Sequence, residues 1–269
     1  MNDVPMRPGR KAATAARMYD YFLGGFHNFP ADREAARAVI EQYPFIPETA
    51  RANRAFVVNA VRHMAESGVR QFLDIGSGIP TVDNIHSVVR RVHPDARVVY
   101  VDIDPVAVGE SMEILDGDDL AVAVQGDAQT PRAILEHPEV QRILDLRQPL
   151  GLVLAAVLHF VPDHAIADAS VAHLVGVLAP GSHVALSHTA TETFSLMTPD
   201  GGVTEDVYQR RTSTPGTVRT REEFERLFTG LELIEPGVVW AQEWQPGPAA
   251  GPPGPARAGG VWVGVGRKA

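Results

Sequence analysis

Residues 70–80, with the sequence RQFLDIGSGIP, decide the fold. Their first half, 71–75, is apolar enough for a short buried strand, and Gly76 ends that run abruptly. Apolar residues bounded by glycine are typical of the first strand of a parallel sheet. Gly76 and Gly78 have no side chains, so a ligand can approach the backbone closely at this point. The stretch therefore predicts a buried strand followed by a ligand-binding glycine loop.

The loop points to a nucleotide-like cofactor, because open α/β sheets bind such molecules where a strand, a glycine loop and a helix meet. The dinucleotide fingerprint G-x-G-x-x-G is incomplete, since Thr81 stands at its third glycine and Pro80 intervenes. An NAD-dependent dehydrogenase is therefore the weaker interpretation. The aspartate that leads Asp74-x-Gly76-x-Gly78 instead resembles the first motif of class I S-adenosylmethionine-dependent methyltransferases.

The composition and the net charge exclude several classes of binding partner. The 269 residues carry a formal net charge of −9, which argues against a nucleic-acid backbone as the partner, because such binding relies on clustered Lys and Arg. The chain has no cysteine, which excludes disulfides, Cys-ligated zinc and iron–sulfur clusters. We expect a small-molecule substrate, no nucleic acid and no metal.

The chain also lacks the sequence features of a membrane protein. Its first residues do not form the continuous apolar segment of a signal peptide, and its longest nearly apolar run, 150–161, is too short to span a bilayer. We therefore expect a cytoplasmic protein with no membrane contact. The oligomeric state stays open between a monomer and a homodimer.

Strand-like and helical runs alternate after residue 68, which predicts βαβ units and a mostly parallel sheet. We divide the chain into a disordered N-terminus (1–10), a helical extension or cap (11–68) and a methyltransferase domain (69–269). The predicted strands are 71–75, 97–101, 120–124, 151–157, 182–187, 231–234 or its continuation 231–240, and 260–265. The predicted helices include 31–43, 48–67, 105–115, 131–146, 164–178 and 221–228. Residues 188–220 and 245–259 are predicted to be long loops, the first a candidate lid.

Candidate site residues follow the strands, because a parallel sheet binds its ligand beyond the carboxyl ends of its strands. Asp102 lies near the spacing at which a carboxylate reaches the ribose hydroxyls of a nucleotide. Asp127 is placed to accept a hydrogen bond from an exocyclic amine such as that of adenine. Three alternatives stay open: Asp102 taken alone favours a cap or a solvated turn, Asp104, which precedes a proline, is equally a helix cap, and Asp127 has a simple turn as its alternative.

Longer motifs carry a more specific resemblance. Residues 17–25 (RMYDYFLGG), 31–34 (ADRE), 50–54 (ARANR) and 72–81 (FLDIGSGIPT) together resemble the S-adenosyl methyltransferase family that was long catalogued as a domain of unknown function. The resemblance spans nearly the whole chain. It implies the class I fold, a Rossmann-like seven-stranded mostly parallel sheet with an antiparallel last strand, and S-adenosylmethionine as cofactor with S-adenosylhomocysteine as product.

The resemblance also implies roles for the strand-end residues. The loop at Gly76, Ser77 and Gly78 would face the methionine end of the cofactor, and Asp74 would orient that loop. Asp102 would hold the ribose, Ile103 would pack on the adenine and Asp127 would bond its amine, while Ala156 and Val157 would line the other side. Asp104 and Ala128 are further candidate cofactor-binding residues. No Asn/Asp-Pro-Pro-Tyr motif follows the fourth strand, which argues against amino-methylation of nucleic-acid bases.

Methyl transfer from a sulfonium needs an aligned nucleophile, and it needs a base only where an acidic proton must leave. His159 and His188, after the fourth and fifth strands, are the candidate bases, although either could simply pack or bond to the backbone. Tyr19, Tyr21 and Asn28 are candidate substrate-binding residues of a lid, with helix packing as the alternative. We expect O- or N-methylation of a small molecule. A non-catalytic sensor of the cofactor is the second hypothesis.

Overall fold

The computed structural model describes residues 13–81, 83–194, 216–247 and 260–269. The predicted disorder of 1–10 and the central parts of both predicted long loops lie outside the described residues. The helices are α1 (Ala15–Phe22), α2 (Pro30–Gln42), α3 (Ile46–Glu66), α4 (Ile85–Arg90), α5 (Pro105–Ile114), α6 (Pro131–Leu135), α7 (Pro138–Ile143), α8 (His164–Val177), α9 (Thr191–Phe194) and α10 (Arg221–Glu225), with 3-10 turns at Leu158–Phe160 and Arg226–Phe228. The strands are β1 (Gln71–Ile75), β2 (Arg97–Asp102), β3 (Ala121–Gln125), β4 (Gly151–Leu154), β5 (His183–Thr189), β6 (Glu232–Leu233), β7 (Val239–Trp240) and β8 (Val261–Arg267).

The strands form one sheet in the order β3-β2-β1-β4-β5-β8-β6, and β7 also pairs with β8. Strands β1 to β5 are parallel, and β8 lies antiparallel to β5. The predicted class of fold is confirmed. The described part of the chain contains eight strands rather than seven, because the predicted strand at 231–240 is broken by a turn at Gly237, whose φ of 80° is a left-handed conformation.

Both faces of the sheet are covered, as its apolar strands require. All five residues of β1 are buried. Helix α3 packs on one face through side chains such as Phe56 and Met64, and α8 packs on the other through Val171 and Leu174. Each such side chain stabilises the fold by about 1.5–3 kcal/mol. The two layers hold the strand ends in fixed positions.

Two predicted elements end earlier than their sequence pattern suggests. The predicted helix 131–146 is two short helices, because Pro138 cannot donate to a helical ladder and instead begins α7, which is capped by His137 Nδ1 3.2 Å from Glu139 N. The predicted strand 151–157 stops at Leu154. Ala156 turns away with a φ of 55°, and its N–H donates to Ser187 Oγ (2.7 Å) instead of to a strand.

Helix α1 lies over the carboxyl edge of the sheet. A Cβ placed on Gly78 would lie 3.9 Å from Ala16 Cβ, so α1 is in van der Waals reach of the glycine loop. Thr81 Oγ1 also donates to Asp20 Oδ1 on α1 (3.2 Å). The extension is therefore part of the wall of the candidate site. No helix in the described ranges is both long and apolar enough to cross a membrane.

Candidate active site

The glycine loop after β1 is fixed by its backbone. Gly76 and Gly78 have φ angles of +75° and +60°, which glycine adopts without strain. The N–H groups of Gly76 and Ser77 donate to the Val101 carbonyl at 2.8 and 3.0 Å. A Cβ on Gly76 would approach Val157 Cγ2 to 2.3 Å, so only glycine fits there. The predicted contact regions at Gly76 and Val157 thus lie against each other.

Asp102 lies where the sequence predicts, beside this loop. Its Oδ2 accepts from the Gly78 N–H at 2.7 Å and its Oδ1 accepts from the Asp104 N–H at 2.9 Å, while its side chain is only 7% exposed. Burial raises the pKa of Asp102, and these backbone hydrogen bonds oppose that shift. A carboxylate has about four acceptor positions, so each oxygen retains capacity for a further donor such as a ribose hydroxyl.

The Asp104 side chain makes hydrogen bonds that stabilise the fold. Its Oδ1 caps α5 by accepting from the Val106 N–H (2.9 Å), and its Oδ2 accepts from Thr14 Oγ1 (2.7 Å) and from Arg17 Nη1 (3.0 Å). Arg17 Nε also donates to Asp32 Oδ2 at 2.9 Å. The helix-cap alternative therefore describes its contacts, and its contact with a cofactor stays a prediction.

Asp74 lies beneath the loop among residues of the extension. Burial raises the pKa of Asp74 to about 7; Arg54 lowers it and Asp102 raises it further. Tyr19, whose pKa burial raises, donates from its hydroxyl to the Ala50 carbonyl (3.0 Å) and accepts from Asn53 Nδ2 (3.0 Å). Sequence reasoning did not assign Asn53 and Arg54 to the site, although the 50–54 motif already contained them.

The predicted adenine side combines one exposed apolar residue with a carboxylate. Ile103 is 61% exposed directly after Asp102, and its carbonyl accepts from Gln125 Nε2 (3.2 Å) at the end of β3. Asp127 is half-buried, and its Oδ1 accepts from the Gln129 N–H (2.8 Å), so it does form the predicted alternative turn. Ala128 is buried and its carbonyl accepts from Ser170 Oγ on α8.

The two candidate bases lie together on the opposite side. The ring centroids of His159 and His188 are 5.8 Å apart at an interplanar angle of 83°. His188 Nδ1 lies 3.0 Å from the Thr189 carbonyl, which can only accept, so Nδ1 carries the proton and Nε2 has a lone pair. His188 Nε2 and His159 Nδ1 are buried without a hydrogen-bond partner in the described ranges.

Both imidazoles are neutral at neutral pH. Burial lowers the pKa of His159 to about 4, and burial together with the neighbouring His159 lowers the pKa of His188 well below its ordinary value. Each ring therefore has an unprotonated nitrogen at neutral pH, and burial makes that nitrogen a weaker base than in an exposed histidine.

The other candidate lid residues hold the extension together. Asn28 Nδ2 donates to Asp20 Oδ2 (2.8 Å) and to the Gly25 carbonyl (2.9 Å), and Tyr21 packs in the small cluster around Met18 and Val39. These contacts match the packing alternative, and a role in binding substrate stays a prediction. Among the described residues, no group of three or more acidic or histidine side chains could hold a metal ion.

Comparisons with known proteins agree with this geometry. The model of the S-adenosyl methyltransferase family matches residues 7–269. A candidate methyltransferase from Thermobifida fusca YX is similar with 37% identity, 96% of this chain and 95% of that chain covered, and a TM-score of 0.84. A DUF574 family protein from Streptomyces avermitilis MA-4680 is similar with 39% identity, coverage of 96% and 98%, and a TM-score of 0.84.

A search of curated proteins found no match. At 14% identity, an O-methyltransferase family protein from Burkholderia thailandensis shares the fold alone, with coverage of 79% and 55% and a TM-score of 0.50. The family model and the two relatives with more than a third of their residues in common decide the assignment. The chain belongs to the S-adenosyl methyltransferase family and is a class I methyltransferase that uses S-adenosylmethionine.

Proposed function

We propose that the enzyme methylates an oxygen or nitrogen of a small molecule, and that His188 or His159 accepts the proton that the acceptor loses. The single observation that carries the proposal is the His188 tautomer. Its Nδ1–H is held by the Thr189 carbonyl, so its buried Nε2 lone pair is free to accept a proton. We further propose a cytoplasmic location and a domain boundary near residue 68.

The residues at the carboxyl edge fit the cofactor. Asp102 has acceptor capacity for the ribose hydroxyls, Ile103 offers an exposed apolar surface for the adenine, and Asp127 a carboxylate for its amine. The loop at Gly76–Gly78 leaves backbone uncovered for the methionine end. When bound, S-adenosylmethionine supplies an activated methyl group on a sulfonium.

Methyl transfer to the acceptor requires few further catalytic groups from the protein. In-line displacement depends on alignment and on exclusion of water, and a positioned base contributes about 10²–10⁴-fold where a proton must leave. The pKa of His159, lowered to about 4, keeps its ring neutral across the physiological range. The net charge of −9 supports a small molecule over nucleic acid as the acceptor.

The test is transfer of an isotope-labelled methyl group from S-adenosylmethionine into fractionated metabolite extracts. We expect a labelled small-molecule product, and we expect His188→Gln or His159→Gln to reduce kcat about 100-fold or more. Binding of S-adenosylhomocysteine should stay within about twofold, measured by calorimetry. His173→Gln on the exposed side of α8 is the matched control.

Two outcomes would contradict the proposal. Tight binding of S-adenosylhomocysteine with no transfer to any fraction would favour the sensor hypothesis. Unchanged methyl transfer in both histidine variants would support methylation but contradict the proposal that a histidine is the base.

A further inference from the structure

A second cavity lies at the opposite edge of the sheet from the glycine loop. Its walls include Val69 just before β1, Pro149 just before β4, His183 at the start of β5 and Arg267 at the end of β8. Its volume is about 380 Å³, within the range of about 300–1,000 Å³ that small-molecule sites occupy. None of the residues assigned to methyl transfer lines it.

One wall of this cavity carries polar groups that the fold does not fully use. His183 is 3% exposed, and its Nδ1 is buried without a hydrogen-bond partner in the described part of the chain. A buried polar atom left unpaired costs about 1–3 kcal/mol, so it calls for a partner that the protein alone does not provide. The His63 ring stands beside it, with 6.3 Å between the centroids and an interplanar angle of 81°.

Arg267 adds a cation to the same wall. Its Nη1 lies 3.8 Å from Glu232 Oε2, which is beyond hydrogen-bond distance, and the two side chains are 51% and 69% exposed. Such a surface pair is weak, so the guanidinium can turn to a second carboxylate at little cost. Burial is the main cause that lowers the pKa of His183; the neighbouring His63 lowers it further, and Arg267 has a smaller effect in the same direction.

The other wall is apolar. Val69, Pro149 and Ile234 line it, so a ligand that fills the cavity meets hydrocarbon on one side and nitrogen donors on the other. An inorganic anion would leave the apolar side unfilled, and a hydrocarbon would leave the His183 nitrogen unpaired. Both walls together suit a molecule with an apolar body and one anionic group.

We propose that this cavity is a binding site for a small organic carboxylate, whose anionic group pairs with Arg267 and His183 and whose apolar body packs on Val69, Pro149 and Ile234. His183 Nδ1 is closed to solvent in this structure, so a small rotation of the ring brings its N–H to the carboxylate in the tautomer with the proton on Nδ1. The guanidinium offers two parallel N–H groups to the same group. The site is separate from the methyl-transfer site and does not depend on its function.

The experiment uses the full chain and 2-naphthoate as the probe, with 2-naphthylmethanol as its uncharged analogue. Calorimetry should show binding of 2-naphthoate, weakened about tenfold or more by Arg267→Gln, because one charge-assisted hydrogen bond contributes about 1.5–3 kcal/mol. Arg70→Gln is the matched control, since Arg70 is an arginine of similar exposure beside β1 that pairs with Asp95. It should leave the affinity within about twofold.

The histidine ring signals in a two-dimensional NMR spectrum locate the bound probe. The signals of His63 and His183, assigned with His63→Gln and His183→Gln, should shift on titration, whereas those of His159 and His188 should not. The proposal is overturned if 2-naphthoate does not bind at millimolar concentration, if the alcohol binds equally well, if Arg267→Gln has no effect, or if only the His159 and His188 signals move.

Discussion

The two halves of the carboxyl edge differ in how their polar groups are used. On the β1–β2 side, the Asp102 and Asp104 carboxylates already accept hydrogen bonds from backbone or from Arg17. On the β4–β5 side, His159 and His188 each keep one buried ring nitrogen without a partner in the part of the chain that the structure describes. We call the side with β1 to β3 the acidic half and the side with β4 and β5 the histidine half. The fold holds the carboxylates of the acidic half in place before any ligand binds, whereas the histidine half keeps these two nitrogens unpaired among the described residues.

This difference indicates that the two halves of the site have different roles. A cofactor common to a whole family can be met by groups that the fold fixes in advance, because fixed groups lose no conformational entropy on binding. Unpaired nitrogens cost free energy in the folded protein, so they persist where a ligand or a proton transfer uses them. The acidic half should therefore respond to substitution through stability and cofactor affinity, and the histidine half through catalysis and pH.

The largest effect should come from Arg17→Met. Arg17 is 2% exposed and pairs with Asp32 and Asp104, which are 0% and 8% exposed. Without the guanidinium, two buried carboxylates lose their counter-charge, which typically destabilises a protein by about 3–5 kcal/mol. Chemical denaturation measures the free energy of unfolding.

The matched control for this prediction is Arg70→Met, since Arg70 pairs with Asp95 at 56% and 67% exposure. An exposed pair is worth about 0–1 kcal/mol. Equal losses in the two variants would show that the acidic half is not built around the buried arginine.

The next largest effect should be on the affinity for S-adenosylhomocysteine. Asp102→Asn replaces one acceptor oxygen with an N–H₂ group that cannot accept from the Gly78 N–H or a ribose hydroxyl. Since a hydrogen bond to a charged group contributes about 1.5–3 kcal/mol, S-adenosylhomocysteine should bind about 10- to 100-fold more weakly. Calorimetry checks this, with the exposed Asp95→Asn as control. Unchanged affinity would mean that Asp102 serves the loop alone.

The sequence predicts the placement of the acidic residues at one edge of the sheet, for a physical reason. Parallel strands end at one edge, so Asp74 near the end of β1, Asp102 at the end of β2 and Asp127 just after β3 lie along the same edge once the strand pattern is interpreted correctly. The predicted start of β3 is off by a single residue. Strand periodicity and glycine positions are local signals, and they carry this part of the prediction.

What the sequence does not show depends on contacts between distant segments. The Arg17–Asp104 pair joins positions 87 apart, and no local pattern marks a buried arginine on α1. Asn53 and Arg54 approach the site only because α3 packs against α1 and against β4, β5 and β8 of the sheet. The early end of β4 follows from a hydrogen bond between Ala156 and Ser187, which an apolar run cannot reveal. Packing of the extension decides the first two, and a contact between the segments that follow β4 and end β5 decides the third.

We expect a smaller effect on the pH dependence of stability, from His159 in the histidine half. Burial lowers the pKa of His159 to about 4 in the folded protein from an ordinary value of 6.5. As pH falls below 6.5 the unfolded chain takes up this proton and the folded chain does not, so stability present above pH 6.5 is lost toward pH 4. His159→Gln should remove this contribution, about 1–2 kcal/mol after relaxation of the site on protonation.

Denaturation of both proteins at several pH values between 7 and 4.5 measures the difference. His173→Gln, on the exposed face of α8, should leave the wild-type curve unchanged. A His159→Gln curve parallel to the wild-type curve would show that this ring does not titrate as a buried group.

The smallest effect is expected at the far end of the acidic half, from Asp127→Asn. Asp127 is only half-buried and already accepts from Gln129, so water can replace much of what the substitution removes. We expect S-adenosylhomocysteine to bind about 2- to 10-fold more weakly, corresponding to about 0.5–1.5 kcal/mol for one solvated hydrogen bond. S-inosylhomocysteine, which has a carbonyl in place of the adenine amine, makes the comparison specific, because it offers Asp127 no amine donor. Its affinity should not fall in Asp127→Asn, whereas an equal loss for both ligands would assign Asp127 to the turn and leave Ile103 and Asp102 to recognise the nucleoside.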